Sequence, residues 1–130
     1  MRTCVRAPLA TALLAAVWSC SEPAVGPVCN SNALPGIAVE ARDARTGVLL
    51  LDSAAGQVIE GSYREELTPA TLDPARGLTR RFAAYERAGT YTVTLSQPGY
   101  LPWRASLVHV TRDECHVNTV TVTALLEVAP

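Results

Sequence analysis

From Gly89 to Ser96 the chain reads GTYTVTLS, with Tyr91, Val93 and Leu95 alternating against Thr90, Thr92 and Thr94. A period of two places the apolar side chains on one face of a pleated strand and the threonines on the other. Threonine suits the wet face, because its branched carbon fits the pleat while its hydroxyl meets water. The run stops at Pro98-Gly99. Pro98 has no N–H for a ladder, and Gly99 supplies the positive φ of a type II turn with proline at its second position. Tyr91 is thereby expected inside, and Tyr100 and Trp103 at the end of the core.

The same pattern recurs along the chain. Leu34–Gly47 sets Ile37, Val39 and Ala41 against Ala38, Glu40 and Arg42, and closes in an Ala44–Gly47 turn. Ala55–Leu67 reads as two short strands folded at Gly61-Ser62. Phe82–Ala88, Ala105–Val110 and Asn118–Leu126 complete the set, with a polar turn at Arg112-Asp113-Glu114. Val48–Asp52 fits either a strand or a helical turn. Thr68–Arg81, with Pro69, Pro74 and Gly77, has no strand pattern and is long for a loop in a compact domain. About seven short strands with turn signals between them, and no long helix, predict an all-β fold: a single antiparallel β-sandwich. Hydrophobic residues make up 48% of the 130 and aromatics only 5%, so the core must be mostly Val, Leu, Ile and Ala.

The amino end has a different character. A basic start (Arg2, Arg6) precedes the uncharged run Ala7–Val17, which is long enough for a signal-peptide core and too short for a membrane-spanning helix. The run ends in Val17-Trp18-Ser19-Cys20. This resembles the lipobox of bacterial lipoproteins, in which the cysteine is acylated and becomes the first residue; Trp18 departs from the usual small residue. The resemblance implies lipidation of Cys20, with a membrane as partner through that lipid. The alternative is ordinary cleavage nearby, which leaves Cys20 as a free thiol. Residues 1–19 are thus expected to be a cleaved signal peptide, 20–33 a flexible tether rich in Pro, Gly, Ser and Asn, and 34–130 the folded domain. The expected location is the cell envelope, periplasmic or surface-facing.

Of four cysteines, Cys4 would leave with the leader and Cys20 would carry the lipid, so Cys29 and Cys115 remain as a pair. Export permits a disulfide between them, and no CxxC spacing supports the rival metal site. With Cys29 before the first strand and Cys115 expected at the start of the last, the bridge would hold both termini of the sandwich at one end. All eleven basic residues are arginines; without Arg2 and Arg6, nine stand against twelve acids. A basic footprint for nucleic acid is absent.

The segments LPGIAVEARDARTG and AGTYTVTLSQPGY together resemble the carboxypeptidase regulatory-like domain. The matching positions are Pro35, Gly36, Gly47, Gly89, Tyr91, Val93, Pro98, Gly99 and Tyr100. The resemblance implies a transthyretin-like, immunoglobulin-like sandwich and a non-catalytic accessory role, as spacer, folding support or binder of glycans or proteins. The middle departs from the family pattern: Glu60-Gly61-Ser62-Tyr63 stands in for an Asp-Gly-x-aromatic hairpin, and Thr68–Arg81 is extra.

Candidate ligand contacts are the aromatics Tyr100, Trp103 and Tyr63, with Tyr85 beside them, and the arginines Arg76, Arg80 and Arg81 of the patternless segment. Their partner would be a glycan or an envelope protein; core capping accounts for the aromatics more cheaply. His109, Asp113, Glu114 and His116 are the one cluster of metal-ligating types, but a zinc site needs three or four convergent ligands and their spacing does not impose convergence. Ser53, Ser62, Ser96 and Ser106 lack any nucleophile motif. The transthyretin-like fold also includes 5-hydroxyisourate hydrolase, whose His, Arg and terminal Gly-Ser pattern this chain, ending LLEVAP, does not match. Neither an enzyme nor a bound metal or cofactor is expected.

Overall fold

The computed structural model describes residues 25–50, 54–73 and 78–130; residues 1–19, expected to be a signal peptide, Cys20 and Arg76 lie outside the described residues. Eight strands run in the order β1 (Pro35–Asp43), β2 (Ala55–Glu60), β3 (Tyr63–Glu66), β4 (Thr71–Asp73), β5 (Leu78–Tyr85), β6 (Gly89–Ser96), β7 (Trp103–Val110) and β8 (Val120–Leu126). They form two four-stranded sheets, β4-β5-β1-β8 and β3-β2-β6-β7, whose inner faces share one core. The expected sandwich is present, with one strand more than the sequence pattern suggests. The addition is β4, inside Thr68–Arg81, which pairs with β5 from Thr71↔Arg80 to Asp73↔Leu78. Three residues between two prolines are too few to display a period.

All pairings are antiparallel except one: β1 and β8 run parallel, from Ile37↔Val120 to Asp43↔Leu126. No hairpin joins them, so no short connection dictates their direction. Their parallel course gives the sandwich two distinct poles. The entry pole gathers the start of β1, the Gly61-Ser62 hairpin, the Glu86–Ala88 loop and the Thr111–Thr119 loop. The far pole gathers the Asp43–Gly47 turn, the Gln97–Pro102 loop and the carboxy-terminal tail. At about 3.4 Å per residue, the eight-residue β6 separates them by roughly 24 Å.

The alternation seen in the sequence fills the core. Tyr91, Val93 and Leu95 of β6 are buried against Ile37, Val39 and Ala41 of β1, with Val58, Val110, Ala124 and Leu126 completing the layer. Each of the buried Val, Leu and Ile side chains contributes about 1.5–3 kcal/mol by leaving water. β1 is buried on its second face too, where the carboxylate of Glu40, 6% exposed, pairs with Arg42 and with Arg80 at 3.5 Å. A charge so placed requires such partners.

Strand β7 needs a bulge. Strict alternation would put Trp103 and Ala105 on the same face as Leu107 and His109. The pairing with β6 instead slips between Tyr91↔Val108 and Val93↔Ala105, and Leu107 takes φ +59°. Trp103, Ala105, Val108 and Val110 then all turn inward, while Ser106, Leu107 and His109 face solvent.

Cys29 and Cys115 are joined, with their Cα atoms 5.2 Å apart. Cys115 sits in the loop before Val117, and β8 starts only at Val120. The bridge therefore ties the approaches to β1 and β8 at the entry pole. It does not bring both termini together, because the tail leaves from the far pole: Leu101 N–H donates to Glu127 and Ala129 N–H to Gly99.

Candidate functional site

At the far pole, the Gln97–Tyr100 turn closes with Tyr100 N–H donating to Gln97 C=O at 3.0 Å, and Gly99 has φ +84°. This is the type II turn expected from Pro98-Gly99. Tyr100 packs its ring on the core and donates its hydroxyl to Asp43 Oδ2 at 3.0 Å. Asp43 Oδ1 accepts the N–H groups of Arg45 and Thr46 at 2.9 and 2.8 Å. These bonds hold the Asp43 carboxyl below the usual carboxylate range, Thr46 N–H first among them, and the same carboxylate raises the Tyr100 hydroxyl.

Trp103 opens β7 and is half-buried beside a cleft of about 360 Å³. The floor of this cleft is a single row of side chains across the outer face of one sheet. Glu66 lies opposite Gln57, Gln57 opposite Thr94, and Thr94 opposite Arg104. Sequence reasoning did not assemble this row. The signal was available in part: a hairpin turning at Gly61-Ser62 fixes Gln57 against Glu66, but the other partners require the register of four strands. A smaller cleft of about 300 Å³ lies on the other side of Pro102, Trp103 and Arg104, toward Leu125 and Glu127.

The remaining candidates lie elsewhere. Tyr63 is at the entry pole, where its hydroxyl donates to Glu65 and the Arg87 guanidinium stacks 4.1 Å above its ring. Burial, followed by that carboxylate, pushes the Tyr63 hydroxyl up to about 12. Arg87 continues to Glu60 Oε2 at 2.7 Å, and Glu60 Oε1 accepts Thr90 N–H at 2.8 Å. A Cβ at Gly89 would crowd the carboxylate of Glu60, the end of a flexible side chain that would have to shift away from Arg87 and Thr90. Tyr85 is exposed at the end of β5, and Arg80 is buried beside Glu40 in mid-strand. Tyr100 and Trp103 are thus brought to one pole, Tyr63 and Tyr85 to the other, and Arg80 to neither.

The histidines do not converge. His109 Nδ1 meets Thr90 Oγ1 at 2.9 Å across β6 and β7. His116 Nδ1 meets Glu86 Oε1 at 2.8 Å, where the same oxygen accepts Leu34 N–H at 2.7 Å. Leu34 N–H foremost, then His116, hold Glu86 below the usual carboxylate range. Asp113 Oδ1 accepts the N–H groups of Cys115 and His116, shaping the disulfide loop. Among the described residues no three His, Cys, Asp or Glu side chains gather as a metal set. An open cleft of about 350 Å³ between the Asn30–Ala33 segment and His116 completes this pole.

Two chemistries are therefore distributed over the molecule: polar side chains that tie loops together, and one sheet-face row beside Trp103. No family model matches this chain, and no curated protein matches it either.

Proposed function

We propose that this chain is an exported, lipid-anchored β-sandwich module of carboxypeptidase regulatory-like type, with a structural or binding role at the cell envelope and no catalysis of its own. The observation that carries this reading is the employment of its reactive side chains. Asp43, Glu60, Glu65, Glu86, Asp113 and His116 each hold a backbone N–H, a loop or a ring in place. Groups so bound serve the fold. The Cys29–Cys115 bond supports export, because such bonds persist in oxidising compartments.

The test is metabolic labelling with an alkyne fatty-acid analogue in a bacterial host. The wild-type chain should take up label and partition with membranes, and Cys20→Ser should do neither. Equal labelling of the two forms removes the anchor from the proposal. A binding role would use the cleft at Trp103, whose lining includes the exposed side chain of Arg104.

A further inference from the structure

We infer that the free edge of β8 is an interface for β8 of a second copy of this chain, paired antiparallel and edge to edge. Each sheet ends in two edge strands, and three of the four are blunted against such pairing. β3 has four residues, of which Arg64, Glu65 and Glu66 are charged. β4 has three, set between Pro69 and Pro74. β7 is longer, but it follows Pro102, carries Arg104 and His109, and is interrupted by the bulge beside Leu107. β8, with the sequence VTVTALL, has none of these devices. It holds no charge, proline or glycine, and its ladder with β1 runs unbroken from Ile37↔Val120 to Asp43↔Leu126. An uncharged edge of that length and composition is a template for a further strand.

The hydrogen-bonding groups of this edge are open. Leu126 C=O accepts Ala44 N–H on the β1 side, while the next carbonyl, that of Glu127, accepts Leu101 N–H on the other side. Successive residues of a strand turn these groups to alternate sides, so Thr121, Thr123 and Leu125 present theirs away from β1. Among the described residues, no bond from a loop or a second strand reaches them there.

A second β8 matches this edge residue for residue. Centred on Thr123, an antiparallel pairing engages all three open residues of both copies: Thr123 faces Thr123, and Thr121 faces Leu125. Leu125, 52% exposed in one chain, is thereby covered. On the inner face Val122 meets Ala124 and Val120 meets Leu126, apolar against apolar. The two-fold axis makes each contact twice and closes the assembly at two copies. Charge agrees with this pairing. In the row through Thr123, the first charges met on either side are the two Glu40 carboxylates. They stand three strand spacings apart, roughly 14 Å, and each already faces Arg42 and Arg80.

The test uses the full chain in detergent. Sedimentation equilibrium at about 100 μM should give twice the protein mass of one chain. Thr123→Lys, a change at an exposed position, should give the mass of one chain and melt within a few degrees of wild type. Under mild oxidation Thr123→Cys should link two chains, because residue 123 meets itself on the axis. Thr121→Cys should not, because its counterpart is Leu125. Four results overturn the inference: a wild-type chain that stays single at that concentration, a folded Thr123→Lys that still pairs, linkage at 121 equal to that at 123, or assembly that continues past two. None of these alters the fatty-acid labelling of Cys20, so failure of the pairing and failure of the anchored-module reading are separable.

Discussion

The hydroxyl of Tyr100 donates a 3.0 Å hydrogen bond to Oδ2 of Asp43, across 57 positions of sequence. Asp43 ends β1, and Tyr100 ends the turn after β6, so this one bond clamps the two sheets at the far pole. Tyr100→Phe is expected to lower the melting temperature by about 5 °C with the fold retained. An unchanged midpoint would show the clamp to be idle.

Acid should weaken the same clamp. The folded carboxyl of Asp43 lies below its ordinary value of 3.8, held down first by Thr46 N–H. The unfolded chain therefore binds a proton that the folded chain refuses. The resulting stability is complete above the ordinary carboxylate range and is lost as pH falls through the folded value. Glu86 and Asp113, also lowered, add to this acid limb. Melting followed from pH 7 downward should fall steeply below about pH 4, and Asp43→Asn should start lower and fall less. Parallel curves would contradict the assignment.

Cleaving the disulfide should cost more than any single contact. The bond spans 86 positions, for which the chain-entropy model gives an upper figure of roughly 4–5 kcal/mol. Urea unfolding with and without reductant measures it. A change under about 1 kcal/mol would mean that the reduced unfolded chain is already constrained there.

Leu107 is 82% exposed and sits at φ +59°. A side chain there costs about 1–2 kcal/mol of backbone strain, which glycine removes at the expense of a freer unfolded chain. Leu107→Gly should therefore leave stability unchanged or raise it by up to about 1 kcal/mol. Val108→Gly, next door and facing the core, should lower it by about 2 kcal/mol or more. Equal losses at both sites would refute the bulge.

Gly89→Ala brings a methyl group within 2.4 Å of the Glu60 carboxylate. The expected loss is about 1–3 kcal/mol. In a Glu60→Ala background most of that loss should vanish, a coupling that chemical denaturation of the four forms would read directly.

Much of this fold is legible in the residues. Tyr91, Val93 and Leu95 announce β6, Pro98-Gly99 its turn, and Gly61-Ser62 the hairpin, because each depends on neighbours a few positions away. The cysteine pair followed from counting. What stayed hidden depends on distant partners. β4 is only three residues long, the parallel course of β1 and β8 has no local marker, and the slip at Ser106-Leu107 exists only against Thr92. The candidate site was hidden for the same reason. Tyr63 and Trp103 look equivalent as end-of-strand aromatics, yet strand direction puts them at opposite poles. Glu66 and Arg104 meet one row only through two strands lying between them.

The bond between Cys29 and Cys115 also decides how the molecule bears a pull. Tension applied at residue 29 and at the tail bypasses everything from residue 30 to 114 and runs straight from Cys115 into β8. Roughly 300 Å of contour length is locked behind the bond. β8 and β1 lie parallel over seven register positions, but β1 belongs to the bypassed segment, so the load passes along the backbone of β8 and leaves that ladder unloaded. Single-molecule extension should release the long segment only after reduction. Until then the sandwich behaves as a short, stiff link.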